Sequence, residues 1–225
     1  MLKYNEDFRP LSITIYTFVS LLFSINYCYN LNFFLNTILF FNNILFTFFS
    51  ATIIHNIIHH PLFQNTIIEN IFSLFLSIIF GYPIITLVPG HNLSHHKYTE
   101  LEQDYMRTTN MRYKNNLLNF ILFVPSVIRR IGIQDYKYLQ KNKNKFILFK
   151  LQVLSLILFY FWLFICYSFN SILVFIIIPQ LTCKFGLISI NLLQHDGCYP
   201  RSNNNRYNIA RNFTGIILNY FTHFK

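Results

Sequence analysis

The chain has 225 residues, of which 53% are hydrophobic and only 12% charged, with a mean hydropathy of +0.37. A soluble domain carries about twice that share of charge, so the composition excludes an ordinary soluble globular domain. Eighteen Lys and Arg against eight Asp and Glu give a net charge of +10, yet the basic residues sit between greasy segments and form no nucleic-acid-binding motif, so no nucleic-acid partner is expected.

Residues 10–68 contain no Asp, Glu, Lys or Arg, and neither do residues 151–183. A membrane-spanning helix needs roughly 20 mostly apolar residues, so the first run has room for two spans. The spacing predicts one over 11–27 and a second over 33–54, which delivers His55 at its end. The linker 28–32 is short and uncharged, as expected of a non-cytoplasmic turn. Residues 67–87 are apolar enough to cross, but a single crossing would set the histidines on either side of them on opposite faces. With Glu69, Gly81 and Pro83 inside it, the segment is read as interfacial, or as dipping in and returning. Residues 117–133 are short, contain Pro125 and end in Arg129-Arg130, which predicts an amphipathic surface helix. Two further spans are predicted over 146–166 and 171–190, again joined by a short uncharged turn. Pro179 is expected to kink the last of them, and Lys184 to snorkel from it to the interface. Residues 209–224, with Arg211 among apolar neighbours, read as another interfacial helix.

The expected architecture is therefore all-α: a polytopic integral membrane protein of about four transmembrane helices plus interfacial helices, forming a single membrane-embedded domain over 1–225. Eleven of the eighteen Lys and Arg fall within 97–150, which places that stretch on the cytoplasmic side. Cys28, Cys166, Cys183 and Cys198 form no C-x-x-C pair and read as small packing residues.

Two clusters carry the chemistry, His55-Asn56-Ile57-Ile58-His59-His60 and His91-Asn92-Leu93-Ser94-His95-His96. Both read H-x-x-x-H-H, and together they hold six of the eight histidines. Imidazole is neutral near physiological pH and is the commonest protein ligand for zinc, iron and copper. On an α-helix residues i and i+4 stack on one face, so His55 with His59, and His91 with His95, are each expected to grip one ion. His60 and His96 lie about 100° further round the helix, so a doubled histidine can serve two neighbouring metals. The segment Asn191-Leu192-Leu193-Gln194-His195-Asp196 follows the last span and is expected on the same face as the boxes. Asn191 and His195 are again i, i+4, and Asp196 can hydrogen-bond a ligating imidazole. His223 reads as a surface residue. A metal transporter would place ionisable residues within its spans, and these runs carry few.

The boxes resemble those of the membrane fatty acid desaturase and hydroxylase superfamily, which carries H-x-x-x(x)-H, then H-x-x(x)-H-H, then a last H-x-x-H-H. Residues 88–99, reading V-P-G-H-N-L-S-H-H-K-Y-T, are similar to the second box with its flanks. The run D-Y-M-R-T-T at 104–109 is similar to the family's segment just C-terminal to that box. Asn191 to His195 resembles the N-x-x-x-H element ahead of the third box. Arg211-Asn212-Phe213 and residues 218–222 resemble the approach to that box, so the likeness extends over most of the chain. It implies a non-haem di-iron site with His55, His59, His91, His95, His96 and His195 as ligands and Asn191 holding a metal-bound water. The family's first box allows a gap of three or four, so His60 is the alternative to His59, which is preferred.

The resemblance further implies an O2-dependent fatty acyl desaturase-like oxidoreductase of lipid metabolism, with its histidine boxes on the cytoplasmic face. Its partners would be a fatty acyl lipid or thioester, membrane lipid, and a separate electron donor such as cytochrome b5 or ferredoxin. The basic stretch 97–150 would meet an acidic donor or phospholipid. The departure from the pattern is the third box: the chain stops at Thr222-His223-Phe224-Lys225, a few residues before an H-x-x-H-H is expected. A second expectation therefore stands beside the first: a truncated, catalytically incomplete remnant, or a related membrane hydroxylase.

Overall fold

Uncharged runs of this length fold as helices because a backbone removed from water must satisfy its own hydrogen bonds. The computed structural model describes residues 1–110, 117–198 and 210, and these are helical apart from short turns and one isolated bridge, Leu2 to Phe63. Helices α1 (Phe8–Tyr27) and α2 (Phe33–Ile57) correspond to the first two expected spans, and α2 runs past residue 54 to carry His55 in its last turn. The Asn32 side chain caps α2 by accepting from the Leu35 N–H. Helix α3 (Thr66–Phe80) is capped by Asn65 and stopped by Gly81 at φ +67, the left-handed position that favours glycine. After a 3-10 turn come a π-helix, Val88–His95, and the short α4 (His96–Tyr98). Helix α5 (Leu117–Lys141) continues beyond the expected residue 133, and α6 (Lys143–Cys166) comes next. The last rod joins α7 (Phe169–Ile172), a π-turn at Leu173–Ile177 and α8 (Ile178–His195).

Five of these segments are long and apolar enough to cross a membrane, α5 among them, and α3 forms a pair bent by 94° with Ile84–Tyr98. Contacts at the segment ends decide which of them cross. At one end the turns after α1 and before α7 meet: the Tyr29 and Ser168 hydroxyls are hydrogen-bonded, and Cys28 Sγ lies 3.3 Å from Ser171 Oγ. At the other end the Lys3 N–H donates to Leu62 O at 2.8 Å, and the rings of His55 and His91 lie 4.3 Å apart. There too the rings of His95 and His195 are 4.7 Å apart. Helices α1, α2, α6 and the α7–α8 rod thus each join one end to the other. The bent pair leaves from the end of α2 and comes back beside it, so it dips and returns. Among the described residues, Tyr98 follows the second box at the histidine end and Cys166 lies beside the turn at the other. Helix α6 leads to the Cys166 end, and α5 is not needed for that change of ends. It lies instead along α8, with Phe120 against Phe185 and with Phe123 and Val127 in one apolar cluster with Met106 and Leu192. Four segments therefore run from one end of the bundle to the other, within the five that are long and apolar enough to cross.

Polar side chains hold the spans together where apolar burial cannot, since lipid is as apolar as leucine. Thr17 pairs with Ser50 at 2.8 Å, and Ser20 donates to Asn43 Oδ1 at 2.7 Å, joining α1 to α2. Pro179 has no N–H for the carbonyl four residues before it, Phe175 O. The helix widens there into the π-turn, and Asn43 Nδ2 donates to that carbonyl at 3.4 Å. The break between α3 and the 3-10 turn is satisfied in the same way. Gln180 Nε2 donates to Ile78 O at 2.8 Å, Lys184 Nζ to Gly81 O at 3.2 Å, and the Ile85 N–H to Gln152 Oε1 at 3.1 Å. Lys184 therefore does not snorkel to the interface as its position suggests: the nearer acceptor is a backbone carbonyl freed by the bend. Outward-facing residues such as Leu154, Ile157, Leu158, Phe161 and Ile165 on α6 are exposed, as a lipid-facing surface requires.

Candidate metal centre

Six of the seven residues singled out by their spacing meet at the end of the bundle where α2 and α8 finish. His55 sits in the last turn of α2, and His59 comes in the turn beyond it. Their rings lie 5.4 Å apart. The π-helix brings up His91, whose ring lies 4.3 Å from His55 and 5.2 Å from His59. His96 completes the group, with its ring 4.4 Å from His91 and 4.7 Å from His59. One nitrogen from each of these four lies within 4.8 Å of the others. Asn92 Nδ2 donates to Ile58 O at 2.9 Å, tying the second box to the first.

The grouping departs from the i, i+4 expectation for the second box. A π-helix bonds i to i+5, and the His96 N–H indeed bonds His91 O. Residues five apart therefore share a face, and His91 meets His96, their Nε2 atoms 2.8 Å apart. His95 turns the other way. Its Nε2 lies 3.2 Å from Nε2 of His195 at the end of α8. The doubled histidine of this box is thus divided between two adjacent groups.

His60 is exposed and stands outside the group of four. Asn191, one turn before His195, is buried, and its Nδ2 donates to Met106 O at 3.0 Å, which commits its amide nitrogen to the loop after the second box. Among the described residues the carboxylate found on a histidine ring is Asp104, 2.9 Å from His95 Nδ1, rather than the expected Asp196. The D-Y-M-R-T-T segment stood out by resemblance alone. Nothing in its spacing marks residue 104 as a partner of residue 95. The expected interfacial helix over 209–224, and His223 within it, lie outside the described residues, as does the stretch expected to precede a third box.

Electrostatics suit a cation. Burial, and after it the charge of His60, hold His59 below the usual histidine range, so it presents a neutral ring at physiological pH. Its Nε2 is buried without a hydrogen-bond partner, an arrangement that costs free energy unless something accepts the lone pair. Burial alone would raise the Asp104 carboxyl. The hydrogen bond and charge of His95, with two backbone N–H donors, outweigh burial and keep it below the ordinary carboxylate value. Glu100 goes the other way: burial raises it despite its bonds to Thr108. Six imidazoles with no thiolate form a donor set that fits iron, zinc or copper.

Compared with known protein families, the chain matches the family described as fatty acid desaturase over residues 31–224. The chain belongs to the fatty acid desaturase family. No match was found among curated proteins or among solved structures. Membership in this family carries desaturase- or hydroxylase-type oxidoreductase chemistry on a fatty acyl substrate, and the apolar helices make this desaturase family member an integral membrane protein.

Proposed function

We propose that this desaturase family member introduces a double bond into a fatty acyl chain with O2 at a di-iron centre. His55, His59, His91 and His96 would hold one ion, and His95 with His195 the other, with Asn191 as a polar neighbour of the second. The observation that carries the proposal is the meeting of histidines from three distant segments, around residues 55, 91 and 195, in one cluster at one end of the bundle. When bound, the iron pair supplies the O2-dependent removal of hydrogen from an unactivated C–H bond. The chain's own residues do the rest. The α2 terminus and the π-helix set the four rings. The apolar cluster of Met106, Phe123, Val127 and Leu192 packs between α5 and the end of α8 and shields that side from water. Electrons would come from a separate donor such as cytochrome b5 or ferredoxin. The exposed basic residues Lys97, Arg129, Arg130, Lys137 and Lys141 favour an acidic partner, or anionic lipid, on a cytoplasmic face.

The test uses the full chain in lipid nanodiscs, loaded with ferrous iron and supplied with acyl lipid or thioester, a reductant and O2. The expected result is about two iron ions per chain, as a two-metal site requires, and a product lighter by two hydrogens in mass spectrometry. A chain that binds no iron overturns the proposal, and a product heavier by one oxygen redirects it to hydroxylation.

A further inference from the structure

The two histidine groups are built differently, and the loop after the second box accounts for the difference. Four imidazoles face one another in the first group. The second has His95 and His195 among the described histidines, and both ring nitrogens of His95 are engaged. We propose that Asp104 is a positioning residue for the second metal position, holding His95 as an Nε2 ligand aimed toward Nε2 of His195. This deepens the di-iron reading and rests on it.

Both side chains are buried, each 2% exposed. An ionised carboxylate only accepts hydrogen bonds, so the 2.9 Å contact puts the proton on His95 Nδ1 and leaves the lone pair on Nε2. That lone pair faces Nε2 of His195 at 3.2 Å. The carboxylate is held in turn: the Glu100 N–H donates to Oδ2 at 3.0 Å and the Met106 N–H to Oδ1 at 2.8 Å. Further bonds close the loop. Glu100 clamps Thr108 through its N–H at 3.0 Å and its hydroxyl at 2.8 Å. Ser94 donates to Gln103 O at 2.9 Å and accepts from the Tyr105 N–H at 3.1 Å. Asn191 Nδ2 reaches Met106 O from α8. One loop therefore grips the ring of His95 and also the turn of α8 that carries His195. Glu100 adopts φ +62, a left-handed conformation that is costly for a non-glycine residue and persists where surrounding structure over-determines it.

The experiment measures metal uptake rather than turnover. The full chain in nanodiscs is titrated with cobalt(II), and bound metal is read by elemental analysis and by the visible absorption of the cobalt. Wild type is expected to bind about two ions, as for a two-metal site. An amide accepts on only one of its two atoms, so Asp104→Asn strands either the Met106 N–H or both the His95 and Glu100 donors. It is expected to weaken the second ion by about 10–100-fold, the range for outer partners of metal ligands, while the first stays bound. Asp104→Glu should recover part of the loss, and His195→Ala should mimic it. Should Asp104→Asn fail to fold, Glu100→Gln serves as the second variant and is expected to weaken the same ion. An unchanged second affinity in the variant that folds, or no second ion in the wild type, overturns the positioning role. A wild type that binds no metal overturns the di-iron reading itself.

Discussion

His59 and His60 are neighbours in sequence, and only His59 turns toward the other rings. Its ring lies within 5.4 Å of His55, His91 and His96, while His60 is exposed. His59→Ala is therefore expected to lower metal affinity by more than the roughly 10–100-fold typical of outer-partner changes, and His60→Ala to leave metal content unchanged. Elemental analysis of the two purified variants checks this, and equal losses would sink the assignment. That the two boxes meet was legible in the sequence, because the repeated H-x-x-x-H-H spacing has the pattern of a ligand set. Which nitrogen faces which was not. The i, i+4 rule belongs to an α-helix, and the second box lies on a π-helix. Asp104 was illegible for a related reason: it meets His95 where the intervening loop turns back on itself, with the Glu100 N–H donating to the Asp104 carboxylate.

At the level of elements, the second box is pinned by its contact with α5. A Cβ placed on Gly90 would lie 2.7 Å from Ile131 Cγ2, so the π-helix and α5 touch through a glycine that a larger residue cannot replace without moving something. Gly90→Ala is expected to destabilise the protein by about 1–3 kcal/mol through overpacking, with loss of metal because His91 is the next residue. Ile131→Ala combined with Gly90→Ala should restore much of both, since the two atoms in conflict are then no longer present together. Thermal unfolding and metal content of the two single variants and the double variant measure this coupling. No restoration would mean that the glycine is needed for its backbone alone. Sequence reasoning located α5 and its amphipathic character from Pro125 and Arg129-Arg130. It stopped the helix at residue 133, because the polar stretch 134–141 offers no apolar repeat, whereas the fold buries Asp135 and Leu139 there. Pro179 was expected to kink its span. The π-turn that precedes it is accompanied by Asn43, more than a hundred residues away in sequence, reaching the freed carbonyl.

For the whole molecule, the uncharged runs determined the number of spans and the two histidine boxes determined how they connect. The segment between the boxes has the hydropathy of a crossing, and only the need for the boxes to meet makes it turn back. Which segments cross can be tested without any reference to iron. The native cysteines are replaced, and single cysteines are placed at Asn30, His60, Lys97 and Lys143, all of them exposed. Sealed vesicles of known orientation are then treated with a membrane-impermeant maleimide. His60→Cys, Lys97→Cys and Lys143→Cys should react from one side and Asn30→Cys from the other. Each pairing isolates one step. His60 and Lys97 on opposite sides would mean that the pair bent by 94° crosses after all, separating the boxes. Lys97 and Lys143 on opposite sides would make α5 a fifth span and leave α6 running the wrong way to bring Ser168 to Tyr29. Positive charge gathers at the histidine end, while the turns 28–32 and 167–168 carry none, so the side shared by residues 60, 97 and 143 is expected to be the cytoplasmic one.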